Sequence, residues 1–293
     1  MYTDDAAYQN VAAQYRNGTP KPIDKPLQRY ARRTPLEIVQ TKDEPLISTI
    51  LAHAWHCGMD FSYFDIGCQY GSSAMSTAQL ILSNGFHNHI YAFDPGVGSE
   101  LAPYTIALNR LEERITFERL AVAQGDFPTI VFTELGHSEN NRVVNRTPPD
   151  EATSYVVMAT SIDNYIARHQ IITDLIVKID TQGGEVEVFQ GMERTIADRT
   201  VLCFTEFAPD AIGTRANPVE WLTERVQQGF TLFDIGDNNM FHTRSHRLRP
   251  VVPHAVPDFV QAVSRRPSPY TDLLLVPNRF PGYQTLIASL THP

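Results

Sequence analysis

Acidic residues end two apolar segments of this sequence, and glycines follow the first of them directly. Asp65 lies near the end of the run 63–66, and Gly67 and Gly71 come after it. Glycine lets a backbone approach a ligand closely, and a helix that begins after such a loop favours polar or negative ligand groups. Asp94 ends the second run, where an acid can hold both hydroxyls of a ribose. Together these features predict the start of a nucleotide-binding α/β unit.

Charged and polar residues also interrupt or follow two later apolar runs. Lys178 and Asp180 interrupt the run 174–180, and Glu206 lies near the carboxyl end of another. Because the carboxyl ends of parallel strands face the ligand crevice, these three residues and Gln182 are candidates for a catalytic role. Lys178 is expected one pleat behind Asp180, on the same side of the strand. Two alternatives stay open: Lys178 and Asp180 pair only with each other or fix the following turn, and Glu206 caps a helix or pairs with Lys178.

Cysteine and histidine do not predict a metal or nucleophilic site. The three cysteines, Cys57, Cys68 and Cys203, have no metal-like spacing and no base beside them in the sequence. We therefore expect packed, reduced thiols. The ten histidines are scattered, and no set of them supplies four ligands. We predict no metal, with a divalent ion held by the carboxylates of Asp180 and Glu206 as the alternative.

The composition limits the class of protein and its partners. Of 293 residues, 42% are hydrophobic and 19% are charged, which is enough for a packed core in one large domain or two small ones. A formal net charge of −9 argues against duplex nucleic acid or an anionic membrane surface as a partner. No segment is long and apolar enough to span a membrane, and no signal-peptide pattern opens the sequence. We therefore expect a soluble, cytoplasmic protein.

Apolar strands alternate with amphipathic helices along most of the chain. This alternation predicts a mostly parallel sheet with right-handed crossovers. The expected strands of this sheet are 63–66, 89–93, 115–122, 174–180, 200–207, 230–235 and 271–276. Helices are expected at 46–55, 72–84, 101–111 and 221–228, and also after the capping residues 160–161 and after the glycines 183–184.

Two regions depart from this alternation. Residues 1–45 combine a short amphipathic helix with a proline-rich segment and form an N-terminal arm. We expect the arm to pack on the main domain, 46–293, or on a partner subunit in a homo-oligomer. The alternative is that it covers the substrate. Between the strand-like segments 129–133 and 155–159, the polar residues 134–153 are expected to form a lid loop or to be disordered without substrate.

Four motifs carry a resemblance to a known family. They are Phe64-Asp-Ile-Gly-Cys-Gln-Tyr-Gly71, Tyr91-Ala-Phe-Asp-Pro95, Thr160-Ser-Ile-Asp-Asn-Tyr165, and Asp174-Leu-Ile-Val-Lys-Ile-Asp-Thr-Gln-Gly-Gly-Glu-Val-Glu-Val-Phe-Gln-Gly191. The first two are shared by many class I methyltransferases, and the last is the most specific. In their order and spacing, over residues 60–278, the chain resembles the FkbM-type S-adenosylmethionine-dependent methyltransferases.

The resemblance implies a Rossmann-like class I methyltransferase fold, with a seven-stranded, mostly parallel sheet, one antiparallel strand and helices on both faces. It implies S-adenosylmethionine as the cofactor and a small-molecule acceptor, with O-methylation of a hydroxyl on a sugar or secondary metabolite as the expected reaction. Asp65 is expected to face the methionine end of the cofactor through a loop amide or water. The full set of expected cofactor contacts is Asp65, Gly67, Gln69, Tyr70, Gly71, Ser72, Ser73, Asp94, Ala121 and Asp180.

Two residues depart from the family pattern, and two rival functions follow. Gln182 replaces the usual Glu, and an amide cannot take a proton. Asp94 stands where Glu is more common, and its side chain is shorter. The first rival is a nicotinamide-dependent oxidoreductase, although Gln69 and Ser72 occupy two glycine positions of G-x-G-x-x-G. The second rival is a non-catalytic binding subunit with the methyltransferase fold, which Gln182 suggests.

Overall fold

The structure is a computed structural model that describes residues 45–96, 99, 102–133, 142–144, 153–236 and 248–291. Nearly all of the predicted N-terminal arm and most of the predicted lid loop lie outside the described residues. The arm, its contact with a partner subunit and the lid therefore stay predictions from the sequence. Among the described helices, none is long and apolar enough to cross a membrane.

Twelve strands and ten α-helices are described. The strands are β1 (Phe61–Ile66), β2 (Ile90–Phe93), β3 (Ile115–Glu118), β4 (Ala121–Val122), β5 (Pro128–Thr133), β6 (Arg142–Val144), β7 (Thr153–Thr160), β8 (Asp174–Ile179), β9 (Val201–Phe207), β10 (Phe230–Gly236), β11 (Arg249–Val251) and β12 (Thr271–Pro277). The helices are α1 (Pro45–His56), α2 (Ser72–Ser83), α3 (Ala102–Leu108), α4 (Ile162–His169), α5 (Glu185–Gln190), α6 (Glu193–Asp198), α7 (Pro209–Gly213), α8 (Pro218–Gln227), α9 (Val256–Ser264) and α10 (Tyr283–Thr291), with a 3-10 turn at Pro253–Ala255.

The main sheet confirms the predicted architecture and adds one strand to it. Its eight strands lie in the order β11-β10-β12-β9-β8-β1-β2-β3. The seven strands from β10 to β3 match the expected sheet, because β12 alone among them runs antiparallel to its neighbours β9 and β10. The short edge strand β11 pairs antiparallel with β10 and was not predicted. The sheet therefore has two antiparallel strands instead of one.

The predicted strand 115–122 is wrong as one continuous element. It divides into β3, which pairs with β2, and β4, which pairs with β7 in a separate four-stranded sheet of order β4-β7-β5-β6. The physical reason is the length of β2, which ends at Phe93 opposite Glu118 and offers no partner beyond that point. The backbone of Ala121 pairs with Ala159 instead. This second sheet also contains both strand-like segments on either side of the predicted lid.

The core lies in two layers, one on each face of the main sheet. Phe61 and Tyr63 of β1 belong to the layer that includes α1, α2 and α10, whereas Phe64 and Ile66 belong to the layer that includes α4, α5, α8 and α9. This separation follows from the alternation of side chains along a strand. Asp65 has the parity of Tyr63, so it is directed to the α2 side of the sheet, where it is fully buried.

The first prediction concerns Gly67, where β1 and β8 end side by side. A Cβ at Gly67 would lie 1.8 Å from the carbonyl oxygen of Asp180, and the backbone has φ +79°. We expect Gly67→Ala to lower the free energy of unfolding by about 4 kcal/mol or more, because it adds a backbone clash to the left-handed conformation. Chemical denaturation followed by tryptophan fluorescence measures this loss.

Gly58→Ala is the matched control for this experiment. Gly58 has φ +68°, but a Cβ there would meet nothing within 4 Å. It should cost only about 1 kcal/mol, the usual penalty of a left-handed alanine. Equal losses in the two variants would contradict the close approach of the Gly67 and Asp180 backbones.

Candidate active site

A buried ion pair joins the two central strands where they end. The pairing of β1 with β8 places Asp65 opposite Lys178. The Nζ of Lys178 lies 3.2 Å from Oδ1 of Asp65 and 3.4 Å from Oδ2 of Asp180, and it donates to the carbonyl oxygen of Gly67 at 3.1 Å. The side chain of Lys178 is 7% exposed and that of Asp65 is 0% exposed. One cation therefore holds two carboxylates and a loop carbonyl together.

These contacts keep Lys178 charged. Burial by itself lowers the pKa of this amine, but the carboxylates of Asp65 and Asp180 outweigh burial and raise the pKa above its ordinary value. A lysine held in this way is not a base near neutral pH. The expected pairing of Lys178 with Asp180 is present, and the structure adds Asp65 as a second partner that sequence reasoning did not connect to it.

The buried position of Asp65 changes what this residue can do. The sequence predicts that Asp65 faces the methionine end of the cofactor through a loop amide or water. That contact stays a prediction; in the structure the carboxylate is fully buried, accepts a hydrogen bond from the hydroxyl of Ser73 and pairs with Lys178. Ser73 belongs to the first turn of α2. Asp65 can therefore act on a ligand only through the groups that it positions.

The loop between β1 and α2 is tied to the end of β2. The amides of Gly67 and Cys68 both donate to the carbonyl oxygen of Phe93, at 2.8 and 3.1 Å. Gln69 has φ 53°, a left-handed conformation that is uncommon outside glycine, and its amide donates to Oδ2 of Asp94 at 2.7 Å. Cys68 is buried, and burial raises the pKa of its thiol well above the ordinary value. It is therefore a packed thiol.

Asp94 stabilises the turn that follows β2 through side-chain hydrogen bonds. Its Oδ1 accepts from the amide of Gly96 at 2.7 Å, while Oδ2 accepts from Gln69. Burial raises the pKa of Asp94 to about 6, against the opposing effect of the two amides. Each carboxylate oxygen has a second lone pair, so the side chain can still accept hydrogen bonds from a ligand.

A cleft opens beside these residues at the carboxyl ends of the strands. Four of the predicted cofactor contacts line it, namely Gly67, Asp94, Ala121 and Asp180, although Ala121 does so from β4 instead of the predicted third strand of the main sheet. The remaining wall residues are Ile66, Phe93, Pro95, Leu120, Val122 and Thr181. Asp65, on β1, does not line this cleft, and neither do the other predicted contacts, Gln69, Tyr70, Gly71, Ser72 and Ser73. The latter belong to the loop and the first turn of α2 behind it.

Gln182 joins the ends of β8 and β9. Its Nε2 donates to Oδ1 of Asp180 at 3.0 Å and to Oε2 of Glu206 at 3.1 Å. Gln182 has φ 56°, so the turn after β8 holds this residue in a left-handed conformation. The three predicted residues of this group are therefore in direct contact, and Lys178 joins them through Asp180.

The electrostatic surroundings of Glu206 are strongly acidic. Burial raises its pKa to about 8, with further increases from Asp180, Glu185 and Asp272, while the hydrogen bond from Gln182 acts in the opposite direction. Glu206 is consequently protonated in most molecules near neutral pH. Asp272 lies opposite Glu206 on β12. It is 5% exposed and was not predicted, because only the strand pairing brings it here.

Glu185 is a second acid that the sequence did not indicate as part of this region. Its Oε1 accepts from the amide and hydroxyl of Thr181, at 3.1 and 2.9 Å, and from the amide of Gly183 at 3.2 Å. Burial raises its pKa. It stabilises the turn that carries Gln182. Within the described ranges, no group of three or more His, Cys, Asp and Glu side chains could hold a metal ion.

Comparison with known proteins gives a family match. The family model described as the methyltransferase FkbM domain matches residues 65–232, which is more than half of the chain. A search of curated proteins gave no match.

Three solved structures were also similar to the chain. A protein assigned as an O-methyltransferase from Klebsiella pneumoniae has a TM-score of 0.35 and 9% identity, covering 92% of this chain and 99% of that one. One assigned as a class I S-adenosylmethionine-dependent methyltransferase from Listeria monocytogenes has a TM-score of 0.35 and 11% identity, covering 95% and 70%. The O-methyltransferase from Bacillus cereus, in complex with S-adenosylhomocysteine, has a TM-score of 0.33 and 11% identity, covering 90% and 96%.

The second prediction concerns the buried ion pair. We expect Lys178→Met to lower the free energy of unfolding by about 3–5 kcal/mol, because Asp65 would remain buried without its cation. Chemical denaturation measures the loss. The double variant Lys178→Met/Asp65→Asn should be more stable than Lys178→Met alone, because the asparagine can still accept from Ser73 and carries no charge. A double variant less stable than the single one would contradict this account.

Proposed function

Because the chain belongs to the FkbM methyltransferase family, we propose that it transfers a methyl group from S-adenosylmethionine to a hydroxyl of a small molecule, such as a sugar or a secondary metabolite. The observation that supports this proposal best is the cleft at the carboxyl ends of β1, β2 and β8. Both Asp94 and Asp180 line this cleft. In this proposal Asp94 holds the nucleoside group and Asp180 holds the reacting hydroxyl.

The residues of the cleft suit the chemistry of this cofactor. The carboxylate of Asp94 has lone pairs for the ribose hydroxyls. Phe93, Leu120 and Val122 supply apolar surface for the adenine ring. The backbone of the loop 67–71 leads to the N-terminus of α2. When bound, S-adenosylmethionine supplies an electrophilic methyl group on a sulfonium, and the protein needs to add no redox or metal chemistry.

Positioning is the main contribution of the described residues. Methyl transfer is an in-line displacement, so the protein gains rate by holding the acceptor hydroxyl in line and excluding water. Lys178 keeps Asp180 fixed relative to the loop carbonyl of Gly67. Lys178 itself does not take a proton, because its carboxylate partners keep it charged.

Asp180 is the residue that receives the proton of the acceptor hydroxyl in this proposal. Its side chain is 34% exposed, lines the cleft and is fixed by Lys178 and Gln182. Glu206 is less suited to this role near neutral pH, because its pKa of about 8 leaves it protonated in most molecules. Gln182 has no basic group and holds the two acids.

The cellular setting is part of the same proposal. We place the protein in the cytoplasm, in agreement with its three cysteines, Cys57, Cys68 and Cys203, which are all free thiols in the structure. The proposed acceptor is a small molecule, and neither nucleic acid nor membrane is a proposed partner. A homo-oligomer formed through the N-terminal arm is proposed from the sequence alone.

Calorimetry and a transfer assay test this function against its rivals. We expect S-adenosylhomocysteine to bind and NAD not to bind. We also expect S-adenosylhomocysteine to be released when S-adenosylmethionine is supplied with a suitable member of a panel of hydroxylated acceptors. Binding of NAD alone would favour the oxidoreductase, and cofactor binding without transfer across the panel would favour the non-catalytic subunit.

The third prediction is a pH dependence of cofactor binding that Asp94 causes. Ribose hydroxyls donate to the ionised carboxylate, and the pKa of Asp94 in the free protein is about 6. The affinity for S-adenosylhomocysteine should therefore rise with pH through this value and level off above it, changing by up to about tenfold between about pH 5 and pH 7. Calorimetry across this range measures the dependence.

Asp94→Asn is the control for this titration. The variant keeps the size of the side chain and leaves other titrating groups, such as His89, in place. It should bind more weakly at neutral pH and lose the dependence. An unchanged slope in Asp94→Asn would remove Asp94 from the ribose site.

A further inference from the structure

The carboxyl groups at the ends of β8 and β9 are held as a pair by one amide. A primary amide has two N–H groups, and Nε2 of Gln182 directs them to Asp180 at 3.0 Å and to Glu206 at 3.1 Å. Both donors of Gln182 are therefore used inside the protein. Because the backbone of Gln182 is left-handed, its side chain is oriented by the turn itself and not by a regular strand or helix.

The ammonium group of Lys178 is also occupied by contacts inside the protein. The ammonium group of Lys178 has three N–H donors, and it contacts three acceptors, which are Asp65, Asp180 and the carbonyl oxygen of Gly67. Arg215, which lies near Gly183, pairs through Nε with Glu187 and donates through Nη1 to Thr214. Among the described residues around Gln182, these cationic side chains already have internal acceptors.

Acidic groups, in contrast, are in excess around Glu206. Asp180, Glu185 and Asp272 all raise the pKa of Glu206, because each brings negative charge near its carboxyl group. A second negative group brought by a ligand would raise this pKa further, at a cost in binding free energy. A hydroxyl or an ammonium would instead donate hydrogen bonds to the carboxylate of Asp180 and to the carbonyl oxygen of protonated Glu206, and a nearby ammonium would also favour the ionised form of Glu206.

We propose that Gln182 is a positioning residue that holds Asp180 and Glu206 as a paired hydrogen-bond acceptor, and that this pair selects a methyl acceptor whose reacting hydroxyl has hydroxyl or ammonium neighbours, not a carboxylate or phosphate. The inference rests on the proposed function for the location of the acceptor. It goes further because it assigns a charge class to the acceptor and a role to the residue that departs from the family pattern.

Three probes of equal ring size test the selection. They are trans-2-aminocyclohexanol, trans-1,2-cyclohexanediol and trans-2-hydroxycyclohexanecarboxylate, which place an ammonium, a hydroxyl or a carboxylate beside the same hydroxyl. Their dissociation constants are measured by ligand-observed NMR on protein loaded with S-adenosylhomocysteine, at neutral pH. We expect the ammonium and the diol to bind, and the carboxylate to bind at least about tenfold more weakly than the ammonium.

Gln182→Met separates positioning from simple stability. The variant has a side chain of similar length without N–H donors, so Asp180 and Glu206 are no longer held by one group. We expect the ratio between the ammonium and carboxylate constants to fall by about threefold or more. The matched control is Gln170→Met, because Gln170 is also left-handed, with φ 53°, and is exposed at the end of α4. The control should leave this ratio unchanged.

The outcomes distinguish this inference from the proposed function. If S-adenosylhomocysteine does not bind, the proposed function fails, and the same probes on the unliganded protein still measure the preference of the acid pair. The inference itself is overturned by a carboxylate that binds as tightly as the ammonium, by an absence of ammonium and diol binding up to their solubility limits, or by an unchanged ratio in Gln182→Met.

Discussion

The ion pair between Asp65 and Lys178 is the interaction on which the arrangement of the site depends. It crosses from β1 to β8 in the centre of the sheet, where Asp65 is fully buried and the side chain of Lys178 is only 7% exposed. A buried charge is costly unless it is paired, so each of these residues requires the other. Through the same ammonium group, Asp180 and the loop carbonyl of Gly67 are held at one place. The charge pair thus links the packing of the core to the geometry of the cleft above it.

A set of backbone contacts then completes the wall of the cleft. Gly67 permits the backbones at the ends of β1 and β8 to approach more closely than any residue with a Cβ would allow. Phe93 accepts two amide hydrogen bonds from the loop after β1, and Asp94 accepts one more from Gln69. As a result, protein groups alone connect the carboxyl ends of β1, β2 and β8. These contacts fix the positions of the strand ends around the cleft without the help of a ligand.

The charges around Glu206 differ from those around Lys178. Lys178 is a cation paired with carboxylates, whereas carboxyl groups predominate around Glu206. Lys178 is shared between Asp65 and Asp180, and Glu206 has other carboxyl groups as neighbours, with Gln182 as its hydrogen-bond donor. The chain belongs to the FkbM methyltransferase family. In the function that we propose, methyl transfer from the cofactor requires little more than positioning, so the residues around Glu206 can select the acceptor. Under the same proposal, the amide of Gln182 holds the two acids in place, a role that an ionised carboxylate could not perform because it has no N–H donor.

The sequence by itself determined the alternation of strands and helices, the family, and most of the residues of the site, because apolar periodicity and short motifs are local properties of the chain. It also placed Lys178 and Asp180 on one side of their strand, which follows from the period of two. It did not determine Asp65 as the second partner of Lys178, the proximity of Asp272 to Glu206, or the division of residues 115–122 between two sheets. Each of these depends on which strands become neighbours and in what register. Strand pairing joins residues that are far apart in the chain, so only the tertiary structure decided them.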